Sequence, residues 1–373
     1  MPHIHRCVTL HIDVTVSTSL PILPRHLPSQ VPLLQHLSLD CELDLNMWER
    51  DEQKHIFLHA PLRFEGNSPN ALEFEFRPSL KTLSIDGRNV QNIFAKGYTW
   101  LSEMYELSEL KVSNYMPMVM SRRHPPTDNT ADRHTCQKCE TFPIPLLAAL
   151  ESCDQLAALT FESIFFEIDP VEENHPDEMY DLSSLYSIVM RDMEPVMINE
   201  IFRVVDHSSQ SVAFVQCPRL NEVTLLFKFN PTLQLVYLED NFDMASFLEG
   251  WECENLFITS CPSFSDTVLD MLAVQEGLLP NGRPHFPRCK LLTDLHLHYP
   301  DSYPPYTVGA LKRFMEARGR GVDYSDEDWP YADVGAPLER LIITGNLPDL
   351  LEDDEVWFRS HLVKFQWGGD PDA

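Results

Sequence analysis

An α/β fold of parallel strands, with helices and loops returning behind them, is predicted from three features of the sequence. The first is a spacing. The stretch Pro78-Ser79-Leu80-Lys81-Thr82-Leu83-Ser84-Ile85 places apolar residues in the order Leu-x-x-Leu-x-Ile. The same order recurs at Cys7/Leu10/Ile12, Leu34/Leu37/Leu39, Leu107/Leu110/Val112, Leu156/Leu159/Phe161, Leu220/Val223/Leu225, Leu292/Leu295/Leu297 and Leu338/Leu341/Ile343. The second is alternation: the last two apolar residues of each copy stand two apart, so they share one side of a strand and their neighbours share the other. The third is that stretches with helical periodicity fall between copies.

A strand with one apolar side cannot bury it alone. Such units stack in parallel with a helix or turn behind each, which is the leucine-rich-repeat solenoid. Cys7 to Leu34 and Leu80 to Leu107 are each one unit of roughly 20 to 29 residues, and the longer gaps hold a degenerate unit or an insertion. The expected architecture is an irregular leucine-rich-repeat solenoid running through residues 1–373 as one domain, its parallel strands on the concave side.

Taken in order, residues 7–16 alternate apolar and polar side chains and are rich in β-branched residues, which predicts a strand. Pro21, Pro24, Pro28 and Pro32 prevent a long helix before the second unit. Residues 44–70, polar with scattered aromatics, read as an insertion or a poorly matching unit. Asn89 to Leu101 has helical spacing at Val90, Ile93, Phe94 and Trp100, weakened by Gly97. Residues 121–140 are almost devoid of apolar side chains and are expected to be an exposed loop, whereas Thr141 to Cys153 resumes as a helix with Leu146, Leu147 and Leu150 on one face. Residues 169–181 form an acidic loop insertion.

Cys217-Pro218-Arg219-Leu220 and Cys289-Lys290-Leu291-Leu292 are read as leading into units, and Cys261-Pro262-Ser263-Phe264 as opening a segment without the full pattern. Ser265 is placed as the N-cap of a helix carrying Val268, Leu269 and Leu272, and Thr307 as that of a helix over Val308 to Arg318. Residues 349–367 close the chain as a C-terminal cap, with an acidic first helical turn at Asp353-Asp354-Glu355 and Phe365-Gln366-Trp367 completing the sheet.

Composition narrows the partners. The chain has 28 Lys plus Arg against 57 Asp plus Glu, a formal net charge of −29. A nucleic-acid backbone or an anionic membrane is repelled by such a surface, so neither is an expected partner. Nine cysteines, an odd number, and the lack of an Asn-x-Ser/Thr sequon with a permitted middle residue favour a reducing setting, cytoplasm or nucleus. The N-terminus has no signal-peptide h-region, and no apolar run reaches the length of a membrane span.

Catalytic and metal chemistry have little to stand on. His134-x-Cys136-x-x-Cys139, with His124 ten residues earlier, resembles a zinc ligand set without its second cysteine pair. It is read as two thiols in a mobile loop, with no structural metal and no cofactor. No Gly-rich phosphate loop, Gly-x-Ser-x-Gly elbow or His-Glu-x-x-His occurs. His296 and His298 flank Leu297 on the surface side of a strand and are read as exposed strand residues. The chain is therefore expected not to be an enzyme. A metal-dependent or otherwise cryptic enzyme using the Cys136/Cys139 loop stays open as the alternative.

The sequence Cys217-Pro218-x-Leu220, the helix Leu311-Lys312-Arg313-Phe314-Met315-Glu316-Ala317-Arg318, and the ending Trp357-Phe358-Arg359 through Phe365-Gln366-Trp367 resemble the substrate-binding region of fungal F-box/leucine-rich-repeat proteins. The resemblance implies a solenoid that holds a target protein while an N-terminal F-box docks on the adaptor of an SCF ubiquitin ligase. Leu20-Pro21 and Leu23-Pro24 are followed by further prolines rather than by an F-box helix, so adaptor binding is expected only if an F-box lies upstream. A free-standing repeat scaffold unrelated to ubiquitin transfer also stays open.

The surface side of the strands is the candidate binding face. Its residues include Asp40, Ser84, Asp86, Glu109, Lys111, Glu162, Glu222, Asp294, His296, His298 and Arg340. Acidic residues are in modest excess there, and a target protein with a basic segment is the expected ligand.

Overall fold

The computed structural model describes residues 4–15, 20–21, 31, 33–41, 79–87, 89–90, 101, 104–114, 144–164, 180–205, 209–223, 231–249, 251–274, 289–319 and 336–369. The expected loops at 121–140 and 169–179, the insertion at 44–70 and most of the helix at 89–101 lie outside these residues. The chain divides into two compact units, Met1–Leu185 with Glu200–Ser208, and Tyr186–Asn199 with Ser209–Ala373.

In the first unit five strands lie side by side in chain order: β1 (Thr9–Val14), β2 (His36–Cys41), β3 (Thr82–Asp86), β4 (Glu109–Ser113) and β5 (Ala158–Glu162). Each pairs in parallel with the next, and the register aligns the repeated spacing, Leu37 opposite Leu83, Leu83 opposite Leu110 and Leu110 opposite Leu159. Between β4 and β5 stands α1 (Ile144–Leu150), whose Leu146, Leu147 and Leu150 are buried as the periodicity predicts.

The second unit contains seven more strands in chain order: β6 (Ser187–Arg191), β7 (Ser211–Val215), β8 (Thr232–Val236), β9 (Asn255–Thr259), β10 (Asp294–Tyr299), β11 (Arg340–Gly345) and β12 (Lys364–Trp367). All neighbouring pairs are parallel. The helices from here on are α2 (Pro195–Val204), α3 (Met244–Leu248), α4 (Asp266–Leu272), α5 (Val308–Gly319) and α6 (Glu352–His361). Helix α4 buries Val268, Leu269 and Leu272, and α5 buries Leu311, Phe314 and Met315. Thr307 caps α5: its Oγ1 accepts the Ala310 N–H at 3.2 Å. Ser265 occupies the position before α4 with extended backbone, but its hydroxyl makes no capping bond.

One backbone device repeats. The carbonyl of the residue just before a strand accepts two N–H groups from the start of the next strand. Val8 O receives Gln35 and His36, Lys81 O receives Ser108 and Glu109, Glu254 O receives Thr293 and Asp294, and Glu339 O receives Val363 and Lys364. Where Pro231 precedes β8 there is no N–H to give, so Gln210 O receives Thr232 alone. At the other end, Asn114, Asp192, Gln216, Tyr237 and Ser260 each follow a strand with φ between 48° and 54°. Each donates its N–H at 2.9 Å to a carbonyl near the end of the next strand, Glu162, Val215, Val236, Thr259 and His298 respectively. The left-handed conformation costs a non-glycine residue roughly 1–2 kcal/mol, and these bonds offset part of it by satisfying main-chain groups where the ladder stops.

The core is the set of repeated apolar positions. Leu34, Leu80, Leu107 and Leu156, then Leu37, Leu83, Leu110 and Leu159, then Leu39, Ile85, Val112 and Phe161 are at most 2% exposed in the first unit. In the second, Ile188, Val212, Leu233, Leu256, Leu295 and Leu341 continue the middle position, and Met190, Phe214, Leu235, Ile258, Leu297 and Ile343 the last. Full burial of one such side chain stabilises by about 1.5–3 kcal/mol relative to exposure.

Seven of the eight expected strands are present; the eighth, expected at Leu220/Val223/Leu225, runs into residues 224–230, which lie outside the described residues. Leu220–Glu222 is a short 3-10 turn, with Arg219 left-handed at φ 48° before it and Val223 extended after it. Leu220 is buried in that turn, and β7 pairs directly with β8. The two Cys-Pro pairs also fall differently: Cys217 and Cys261 come just after β7 and β9. Their thiols donate back to main-chain carbonyls, Cys217 to Met190 at 3.3 Å and Cys261 to Leu235 at 3.4 Å.

Candidate protein-binding surface

On each strand the residues between the buried positions form the opposite face, and the two units' faces differ in chemistry. In the first unit the face is polar. Asp40 accepts hydrogen bonds from Ser38 and, at 3.0 Å, from Ser84, and His11 Nδ1 stands 3.6 Å from its carboxylate. His36 Nδ1 and Thr82 Oγ1 share a 2.8 Å bond across β2 and β3. Lys111 pairs with Glu162 at 2.7 Å across β4 and β5. Glu109 and Asp13 are exposed.

Asp86 is on this face by sequence but not by access. It is 1% exposed, and its carboxylate accepts the Asn89 side-chain amide at 2.7 Å and the Asn89 N–H at 3.3 Å, so it holds the chain where β3 ends. Glu222 lies on no strand, because it belongs to the 3-10 turn, where Arg219 faces it at 3.8 Å and also pairs with Glu194. It is therefore removed from the strand face.

In the second unit the parallel register sets three rows across the strands. The middle row from β8 to β12 is Gln234, Phe257, His296, Ile342 and Gln366. Phe257 and His296 stack with ring centroids 4.2 Å apart and planes at 26°. The row beside it is Thr232, Asn255, Asp294, Arg340 and Lys364. Arg340 Nε meets Asp294 Oδ1 at 2.9 Å, with the Asp294 side chain only 6% exposed and that of Arg340 53% exposed. Thr293 Oγ1 donates to the other Asp294 oxygen at 2.8 Å. In the third row His298 Nδ1 and Thr344 Oγ1 share a 2.8 Å bond.

These neighbours tune His296. Burial first, with the positive charges of Lys364 and Arg340 adding to it against the opposing pull of Asp294, holds its imidazole below the usual histidine range. It is neutral at pH 7 and stacks on Phe257 as an uncharged ring. In the described contacts His296 packs on Phe257, and His298 bonds the Thr344 hydroxyl.

Among the described residues no three His, Cys, Asp or Glu side chains gather as a metal-binding group, and no helix is long and apolar enough to cross a membrane. Cys136 and Cys139, with His124 and His134, lie outside the described residues. The buried thiols Cys153, Cys217 and Cys261 are each pushed up to about 11, chiefly by burial, and are poor nucleophiles at neutral pH.

Comparison with family models, with curated proteins and with solved structures finds no match to this chain.

Sequence reasoning missed β6 to β9, and signals for two of those strands were present. Leu185/Ile188/Met190 keeps the repeated spacing once Met is admitted, Cys253/Leu256/Ile258 keeps it just as Cys7/Leu10/Ile12 does, and Leu362/Phe365/Trp367 keeps it with two aromatic residues. The first two mark β6 and β9, and the third frames β12. The Phe257–His296 contact needs β9 in place and could not be drawn without it.

Proposed function

We propose that this chain is a leucine-rich-repeat solenoid that binds a partner protein on its strand faces. The observation that carries the reading is the repeated register: side chains at matched strand positions fall into continuous rows, which present a long surface to an extended or folded partner. The first unit's face, with Asp13 and Glu109 exposed, suits a basic segment of that partner. The resemblance to fungal F-box/leucine-rich-repeat proteins supports the finer reading, a target-recognition region of an SCF-type ubiquitin ligase receptor.

The test begins by photocrosslinking from Gln234 and from Thr160 to identify a partner, which is then purified and titrated back. Binding lost on Gln234→Glu or Thr160→Arg and kept on Asp270→Arg, a change on helix α4, supports the reading. Binding lost only from the helix side overturns it. For the finer reading, an F-box fused ahead of the chain should make the partner a substrate of ubiquitin transfer; no transfer despite binding leaves a scaffold.

A further inference from the structure

Resting on that protein-binding reading, we infer that the strand face of the second unit takes an acidic segment of a partner protein, with a carboxylate at Arg340 and Lys364 and an apolar side chain against Ile342 and the Phe257–His296 stack. The sign is opposite to that of the chain as a whole. Over the described strands of this unit, the outward positions carry Arg191, Arg340 and Lys364 against Asp294 alone. Asp294 is buried and already committed to Arg340, so no anion of this face is left for a partner.

Two features of the geometry call for an anion. Arg340 and Lys364 are register partners on adjacent parallel strands, where strands run roughly 4.8 Å apart. Like charges so placed repel. Lys364 is exposed and has no ion pair among the described residues, while Arg340 keeps half of its side chain in solvent. A carboxylate between them would offset the repulsion and accept hydrogen bonds from both.

One row away lies the apolar part. Ile342 sits between His296 on β10 and Gln366 on β12, and the Phe257–His296 stack continues the row towards β8. His296 is held neutral, so it adds an aromatic face here rather than charge. The five strands β8 to β12 span four interstrand spacings, roughly 19 Å, which an extended segment of about six residues covers. A ligand with an acidic residue and an aromatic or branched residue two to four positions apart fits both parts.

The whole chain's charge makes the test discriminating, because an acidic peptide is repelled by this protein unless a local surface holds it. A random peptide display library is selected on the intact chain, and the recovered peptides are measured by fluorescence anisotropy. Recovered peptides are expected to include a class rich in Asp and Glu with an aromatic or branched residue. Their binding should weaken by about tenfold or more on Lys364→Glu, survive Lys364→Arg, and ignore Glu109→Lys on the first unit's face. Peptides of neutral or basic composition that compete at Ile342 overturn the acidic assignment and leave the protein-binding reading intact. Acidic peptides indifferent to Lys364→Glu overturn it as well. Peptides that bind only away from both strand faces overturn the inference and the protein-binding reading together.

Discussion

Arg318 is fully buried in the second unit and donates from Nη2 to the carbonyl of Cys289 at 2.6 Å, and from Nη1 to that of Leu292 at 3.0 Å. One guanidinium on α5 thus ties down two main-chain carbonyls of the turn that leads into β10. Burial presses its pKa down to about 10, with Cys289 and Cys253 beside it pulling the other way. Replacing Arg318 with Met takes this donor from the Leu292 carbonyl, while the Cys289 carbonyl keeps the N–H of Leu292 at 3.0 Å. Since a buried acceptor left unsatisfied costs about 1–3 kcal/mol, urea denaturation followed by tryptophan fluorescence is expected to show a loss of about that size. An unchanged midpoint would mean that the turn finds other donors.

Glycine is demanded at one strand end and merely convenient at another. Gly345 has φ +106°, and a Cβ there would come within 2.2 Å of Tyr299 O, whereas Gly368 has φ +80° with open space around it. Gly368→Ala is expected to cost only the conformational strain, roughly 1–2 kcal/mol. Gly345→Ala must also move the β10 backbone and should destabilise clearly more. Equal losses in parallel denaturation curves would contradict this difference.

Neighbouring residues on β11 should respond oppositely to truncation. Ile343 is fully buried and Ile342 lies on the outward face. Ile343→Ala is expected to cost about 2–5 kcal/mol as a core truncation. Ile342→Ala should stay near the ±0.5 kcal/mol of ordinary surface changes. The same change at Ile342 should weaken partner binding, so stability and affinity separate at adjacent positions.

The buried thiols set an alkaline limit. Cys153, Cys217 and Cys261 have folded pKa values raised to about 11 from 9.0. Above pH 9 the unfolded chain gives up these protons before the folded one, so the unfolded state binds fewer protons and stability falls with rising pH. The contribution is whole below pH 9 and lost between pH 9 and about 11. Among the described cysteines, Cys7 is the one only half-buried by its surroundings. Iodoacetamide mass mapping of the native protein at neutral pH should label Cys7 well ahead of those three, and equal labelling would mean that the native core opens readily.

The sequence disclosed strands where all three apolar positions are large aliphatics, as at Leu80, Leu83 and Ile85. It hid β7 and β8, because Ser209 and Asn230 stand in the sequence where the spacing asks for an apolar residue; Ser211 and Thr232 start these strands with backbone bonds to Tyr186 and Gln210. It did not disclose the 3-10 turn at Leu220–Glu222, since spacing alone cannot distinguish the approach to a strand from a turn that buries one leucine. For the candidate surface, a residue's face was legible from alternation, but its freedom was not. Asp86 and Asp294 alternate correctly and are nevertheless occupied, one by Asn89 and the other by Arg340.

The N–H donation to the carbonyl ahead of a strand asks nothing of side-chain identity, and where Pro231 stands at one donor position the single N–H of Thr232 suffices. These main-chain anchors hold the pitch, and whatever lies between them is free to lengthen, shorten or change its letters. Chains built this way can drift apart in composition while their strand faces keep the same geometry. Selection can then rewrite the exposed rows, as at Phe257 and Lys364, almost independently of the frame that carries them.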